Sequence, residues 1–142
     1  MIYLDTGCLL KLYYPEPNSA AVAAAVSGKA IAFTALHELE TMTALQLKRF
    51  RGEATAEQAE AAMNLVREDL TSGKLAQSPV NWPEALQNAV ELARVHAVAS
   101  GCRSLDILHC AVALAMGADE FVSSDSRQIA VATAAGLRLA AI

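Results

Sequence analysis

Met1-Ile2-Tyr3-Leu4-Asp5-Thr6-Gly7 is the stretch from which the architecture of this chain is read. Three β-prone residues, Ile2–Leu4, pass at once into an acid. A segment from Thr6 to Tyr13 then has room for a helix before Pro15-Glu16-Pro17 stops it, since proline lacks the amide proton and disfavours helix in the residue before it. Strand, acid, helix is the unit of a parallel α/β fold, and the unit recurs. Ile31-Ala32-Phe33 is a second apolar strand, with Thr34 as N-cap of a long helix ending near Arg51-Gly52. Residues 74–77 form a short strand, Glu120–Ser123 another followed by a helix over 127–135, and Leu137–Leu139 a last one. Between them, Asn18 or Ser19 caps a helix that ends at Ser27-Gly28. The capping box Thr55-x-x-Gln58 opens a helix with the apolar stripe Ala59, Ala62, Met63, Val66, Leu70. A second box, Asn81-x-x-Glu84 with Pro83 in the first turn, opens one with the stripe Leu86, Ala89, Val90, Ala93, Ala97. Ser104 caps a further helix to Met116-Gly117. Short apolar strands alternating with helices describe an α/β domain of three layers. Its central sheet is short, mostly parallel, of four or five strands, and flanked by helices on both faces. No linker or repeat interrupts residues 1–142, which read as one domain.

Composition narrows the possibilities further. In 142 residues, 54% are hydrophobic and 18% charged, which suits one buried core and excludes a disordered chain. Fifteen acids against eleven bases give a net charge of −4, so the surface is not one broad basic footprint for nucleic acid. No apolar run approaches the ~20 residues that a bilayer requires, and the opening lacks the basic region of a signal peptide. Cys8, Cys102 and Cys110 are odd in number and contain no C-x-x-C pair. Buried thiols in a reducing cytoplasm are expected rather than a disulfide framework or a zinc knuckle.

The meaning of the acidic balance depends on where the carboxylates fall. Open parallel sheets bind ligands beyond the carboxyl ends of their strands. Asp5 directly follows the first strand and Asp125 the strand Glu120–Ser123; each also suits the cap of the next helix. On a wheel of about 100° per residue, Leu36, Leu39, Thr43, Leu47 and Phe50 share one face and Glu40 falls within it, with no base on that face to pair with. Glu38 falls on the opposite side and reads as a solvated surface acid. An unpaired carboxylate in an apolar stripe is costly, which marks Glu40 as functional. Asp106 sits in the first turn of its helix, where the helix dipole favours its ionised form. Its neighbours at i+3, i+4 and i+7 are His109, Cys110 and Ala113, small or polar as beside a cleft. If the four acids converge, each pair at ~5 Å repels by roughly 3 kcal/mol at an effective dielectric of ~20. Such a group must hold protons or a cation, and all-oxygen ligands favour Mg²⁺ or Mn²⁺.

Four segments then carry a family resemblance: MIYLDTG at the start, LHELETMTAL in the middle, RSLDILHCAVAL later and FVSSD near the end. Their order and spacing resemble the PIN-domain ribonucleases, most closely the VapC toxins of bacterial toxin–antitoxin pairs, over essentially the whole chain. The resemblance implies a PIN-like three-layer fold. It also implies a catalytic metal site formed by Asp5, Glu40, Asp106 and Asp125, Glu40 rather than Glu38 matching the pattern E-x-x-x-A-L. Thr6 and Ser123 match positions that often carry a hydroxyl near the metal. Gly7 departs from the usual small polar or apolar residue, and Ser123 stands where many members have Thr. The implied function is that of a Mg²⁺- or Mn²⁺-dependent endoribonuclease of the cytoplasm. A bound water attacks an RNA phosphodiester in line and the 3′-oxygen leaves, the RNA often being tRNA or ribosomal RNA. Homodimerisation and inhibition by a cognate antitoxin are implied as well.

RNA still has to be attracted to an acidic protein, and phosphate contacts need Lys or Arg. Arg103 precedes Asp106 and Arg127 follows Asp125, and these are the candidate RNA-binding residues. Lys11 is a weaker one. Lys48, Arg49 and Arg51 suit the C-terminus of their helix equally well. His109 is within reach of the Asp106 carboxylate, three residues away; His37 and His96 read as structural or exposed, and Trp82 as a packing anchor. The alternative is a non-catalytic α/β domain that binds a cation or regulates. No late-strand lysine supports a receiver-like domain, and Asp5-Thr6-Gly7 lacks the second Asp of a haloacid-dehalogenase-like phosphatase.

Overall fold

The computed structural model of the protein describes residues Met1–Ile142. In chain order the elements are β1 (Ile2–Leu4), α1 (Thr6–Leu10), α2 (Ser19–Val26), β2 (Ile31–Phe33), α3 (Ala35–Phe50), α4 (Ala56–Ser72), β3 (Leu75–Gln77), α5 (Trp82–Ser100), α6 (Ser104–Ala115), β4 (Glu120–Val122) and α7 (Ser126–Ala134). The four strands form one parallel sheet in the order β3-β2-β1-β4. Ile2 is level with Ile31 and Leu4 with Val122. The last expected strand is reduced to a single parallel bridge between Leu139 and Phe121.

Alternation along three-residue strands divides the interior in two. Ile2, Leu4, Ile31, Phe33, Leu75 and Val122 pack with α1, α2, α4 and Leu45 of α3. Tyr3, Ala32 and Phe121 point the other way, into α5, α6 and α7. Both faces are therefore covered, which is why the central strands β1 and β2 are apolar throughout, while Gln77 and Glu120 fall at the ends of β3 and β4.

Local signals set most helix starts. Thr34 caps α3, its side chain accepting from the His37 amide, and the Thr34 amide donates to the His37 ring. Thr55 and Gln58 cap α4 reciprocally. Two caps differ from expectation. Neither Asn18 nor Ser19 caps α2 through its side chain: Asn18 is left-handed, and the Ser19 hydroxyl accepts from the Glu16 amide in the turn before the helix. Arg103, not Ser104, occupies the N-cap of α6, without a side-chain bond. The stripe of α5 is also rotated. Ala85 and Ala89 are buried, whereas Leu86 and Val90 are exposed. Small side chains let α5 approach α6 and α7 closely, so its large ones face outward. No helix is long and apolar enough to cross a membrane.

Candidate active site

The strand order reverses direction between β1 and β4, and a crevice opens beyond the carboxyl ends of such a pair. Asp5 leaves β1 there and Ser123 to Asp125 leave β4. Asp5 is buried and its Oδ1 accepts from the Cys8 amide at 2.6 Å, capping α1. Asp125 is exposed and caps α7, its Oδ1 accepting from the amides of Arg127 (2.8 Å) and Gln128 (3.3 Å). Each of these two acids is thus a helix cap and a cleft residue at once.

Asp106 reaches the same cleft from the first turn of α6. Gln128, fully buried, donates its side-chain amide to the Asp106 carbonyl at 2.9 Å and so ties α7 to that turn. The Asp106 carboxyl lies above its ordinary value. Burial is the first cause, followed by the charge of Asp125 and, more weakly, those of Glu40 and Asp5, while His109 pulls the other way. The charges of the other three acids of the expected set thus reach Asp106.

Glu40 arrives from α3. Its Oε2 accepts from the Thr6 hydroxyl at 2.6 Å and pairs with His109 Nε2 at 2.5 Å. Burial by itself pushes this carboxyl up, but the bonds from His109 and Thr6 and the pull of both histidines outweigh it and hold Glu40 below its ordinary value. The wheel argument that singled out Glu40 is corrected here. Of the expected stripe only Leu36 is buried; Leu39 (63% exposed), Leu47 and Phe50 (87% exposed) look outward, and His37, Thr41 and Leu45 are the other buried residues of α3. Glu40 lies at the border of the two faces, and its base comes from a different helix. Glu38 is exposed, as expected.

His109 does not bond Asp106. It is buried, and its ring extends inward to β1 and α3, with Nδ1 at 2.8 Å from the Tyr3 hydroxyl. Thr6 thus serves Glu40, and the Ser123 hydroxyl accepts from the Asp125 amide at 3.0 Å. Tyr3 and Gln128 are site-supporting residues that sequence reading passed over, and His37, read as structural or exposed, is buried and structural. His37 stands at the third position of its capping box, a spacing visible in the sequence. Tyr3 and Gln128 carry no comparable local signal.

Arg103 and Arg127 are exposed beside the cleft and neither is ion-paired, whereas all other bases except Lys11 and Arg49 are. Lys11 donates to Ser124 next to Asp125. Lys48 and Arg51 are occupied by Glu16 and Glu53, and Arg49 bonds Gln46. Beside the acids runs a groove of about 420 Å³ lined by Thr6, Gly7, Leu10, Leu39, Glu40, Thr43, Ala44, Leu47 and Leu105. The largest concavity, about 900 Å³ between α1, α2 and α4, contains none of the four acids.

The donor set is made of carboxylate and hydroxyl oxygens, and no lysine or arginine is paired with any of the four acids. That chemistry fits a hard divalent cation. The side chains are not drawn into a closed shell, since no three His, Cys, Asp or Glu groups stand close enough to grip an ion as arranged. A closed shell is not required: Mg²⁺ keeps several waters and binds through one or two carboxylates.

Among curated proteins no relative matches the chain in sequence. In fold it is similar to the crystal structure of FitAcB from Neisseria gonorrhoeae, with a TM-score of 0.64 at 17% identity, over 99% of this chain and 97% of that one. A family model, the PIN domain, matches residues 2–134. With that match over nearly its whole length, the chain belongs to the PIN domain family.

Proposed function

We propose that the chain is a metal-dependent endoribonuclease that hydrolyses RNA phosphodiester bonds, and that it acts as the VapC-type toxin of a type II toxin–antitoxin pair. PIN domains are generally metal-dependent nucleases. The observation that carries the reading is the half-buried Asp106 within the field of Asp125, Glu40 and Asp5, with no lysine or arginine ion-paired to any of the four. Asp5, Glu40, Asp106 and Asp125 would hold Mg²⁺ or Mn²⁺. Such an ion, when bound, polarises a phosphoryl oxygen and lowers the pKa of a water. Asp106 lies in the cleft on the first turn of α6 with its carboxylate free of hydrogen bonds within the chain, which suits it to orient the attacking water or take its proton. Asp5 and Asp125 are held in place by the amides they cap. Arg103 and Arg127 contact the flanking phosphates of the RNA, of which tRNA and rRNA are the first candidates.

The cognate antitoxin lays an apolar segment along the groove beside Glu40, against Leu39, Leu47 and Leu105. A homodimer and a cytoplasmic setting belong to the same reading, the latter supported by three free, buried cysteines. The test is cleavage of structured RNA by the purified chain with Mg²⁺ or Mn²⁺. Cleavage should stop with EDTA and in Asp5→Asn and Asp106→Asn. Undiminished cleavage by both variants sinks the site, and cation binding without any cleavage favours a non-catalytic domain. Expression should arrest growth, relieved by a small protein encoded next to this gene. Harmless expression of an RNA-cleaving chain on its own would remove the toxin part of the reading.

A further inference from the structure

We propose that His109 is a positioning residue: held by Tyr3 on one side, it fixes with Thr6 the Oε2 oxygen of Glu40, so that Glu40 meets a cation or its water through Oε1 alone. The inference rests on the reading of the cleft as a divalent-metal site.

His109 interrupts an otherwise apolar run of buried residues in α6, Ile107 to Ala113. A ring with two polar nitrogens is costly there unless both are satisfied. Both are, and the partners assign the hydrogens. The Thr34 amide donates to His37 Nδ1 (3.0 Å) and His37 Nε2 donates to the Leu4 carbonyl (2.8 Å). The Glu40 carboxylate only accepts, so the hydrogen of His109 sits on Nε2 and Nδ1 is left to accept. Tyr3 donates to His109 Nδ1 at 2.8 Å, and the Nε2 hydrogen is directed at Glu40 Oε2 2.5 Å away. Thr6 donates to the same oxygen at 2.6 Å. Two donors thus occupy one oxygen of the carboxylate, and neither engages the other. The chain from Tyr3 through His109 runs in one direction and ends on a cleft residue. A histidine that merely filled the core would have no need to reach a partly exposed carboxylate 69 residues earlier in the chain.

The test is Mn²⁺ binding to the full chain by titration calorimetry, with thermal melting alongside. Removing an outer-shell partner of a metal ligand typically lowers metal affinity by about 10–100-fold, and His109→Leu should fall in that range. His109→Gln places an amide N–H near the position of Nε2 and should recover most of the affinity. Tyr3→Phe keeps the ring and the packing and should lie between wild type and His109→Leu. If His109→Leu does not fold, Tyr3→Phe decides: wild-type affinity in that variant overturns the proposal. Wild-type Mn²⁺ affinity in a folded His109→Leu, with binding lost in Asp106→Asn, overturns the positioning role and leaves the metal-site reading intact. A wild-type chain that binds no Mn²⁺ overturns both.

Discussion

At Asp106 the fold keeps a half-buried carboxylate in the field of three others, and burial first, then Asp125, Glu40 and Asp5, raise its carboxyl above the ordinary value of 3.8. A raised acid means that the folded chain holds this proton more tightly than the unfolded chain does. Stability from the group is therefore fully present below 3.8 and is lost as pH rises through the folded value. At neutral pH the metal-free protein carries this penalty in full. Asp106→Asn should accordingly melt above wild type at pH 7 in EDTA, with the difference closing as pH falls toward 4. Mn²⁺ should invert the order. A ligand at a hundredfold excess over its dissociation constant stabilises the fold by about 2.7 kcal/mol, a gain open to wild type and denied to the variant. Equal or lower melting of metal-free Asp106→Asn at pH 7 would show that the four acids do not strain the fold.

Helix α3 shows which properties of an element are local and which are not. Its start was legible because Thr34 and His37 lie within one turn of each other, and a cap depends only on such neighbours. Its buried face was not. The stripe Leu36, Leu39, Thr43, Leu47, Phe50 has the spacing of a core face, yet the core takes only Leu36 of it, together with His37, Thr41 and Leu45. The same inversion in α5, with alanines inside and Leu86 and Val90 outside, has the same origin. A face is chosen by the elements packed against it, and periodicity alone does not identify them. Asp5, Asp106 and Asp125 were legible because strand ends and helix starts are fixed by local sequence. The link from Tyr3 to His109 spans 106 residues and had no local trace. The outward stripe has a consequence of its own. Leu47→Lys changes an exposed residue, so stability to urea should stay within about 0.5 kcal/mol of wild type. Binding of an apolar antitoxin segment along the groove should weaken markedly, as read by co-purification of the two expressed together. Undiminished co-purification would place the partner on another surface.

For the molecule as a whole, the distribution of charge decides how RNA can be held. Fifteen acids and eleven bases sum to −4, and setting aside the four acids of the cleft leaves eleven of each. Seven of the bases, Lys29, Lys48, Arg51, Arg67, Lys74, Arg94 and Arg138, are ion-paired within the chain. Of the remaining four, Arg49 bonds Gln46 near the end of α3, while Lys11, Arg103 and Arg127 border the cleft. Electrostatic binding therefore rests on about three cations. Each phosphate neutralised on a single strand contributes about −0.7 to the slope of log K against log salt, so a slope near −2 is expected. Fluorescence anisotropy of a labelled single-stranded RNA in EDTA, where cleavage is blocked, measures it. Arg103→Ala with Arg127→Ala should lower the slope to about −0.7, the share of the one remaining cation. A slope of about −5, equivalent to roughly seven phosphates, would require a basic surface that this chain does not have. An unchanged slope in the double variant would take both arginines out of the RNA path, and the phosphates would then be held elsewhere on the chain.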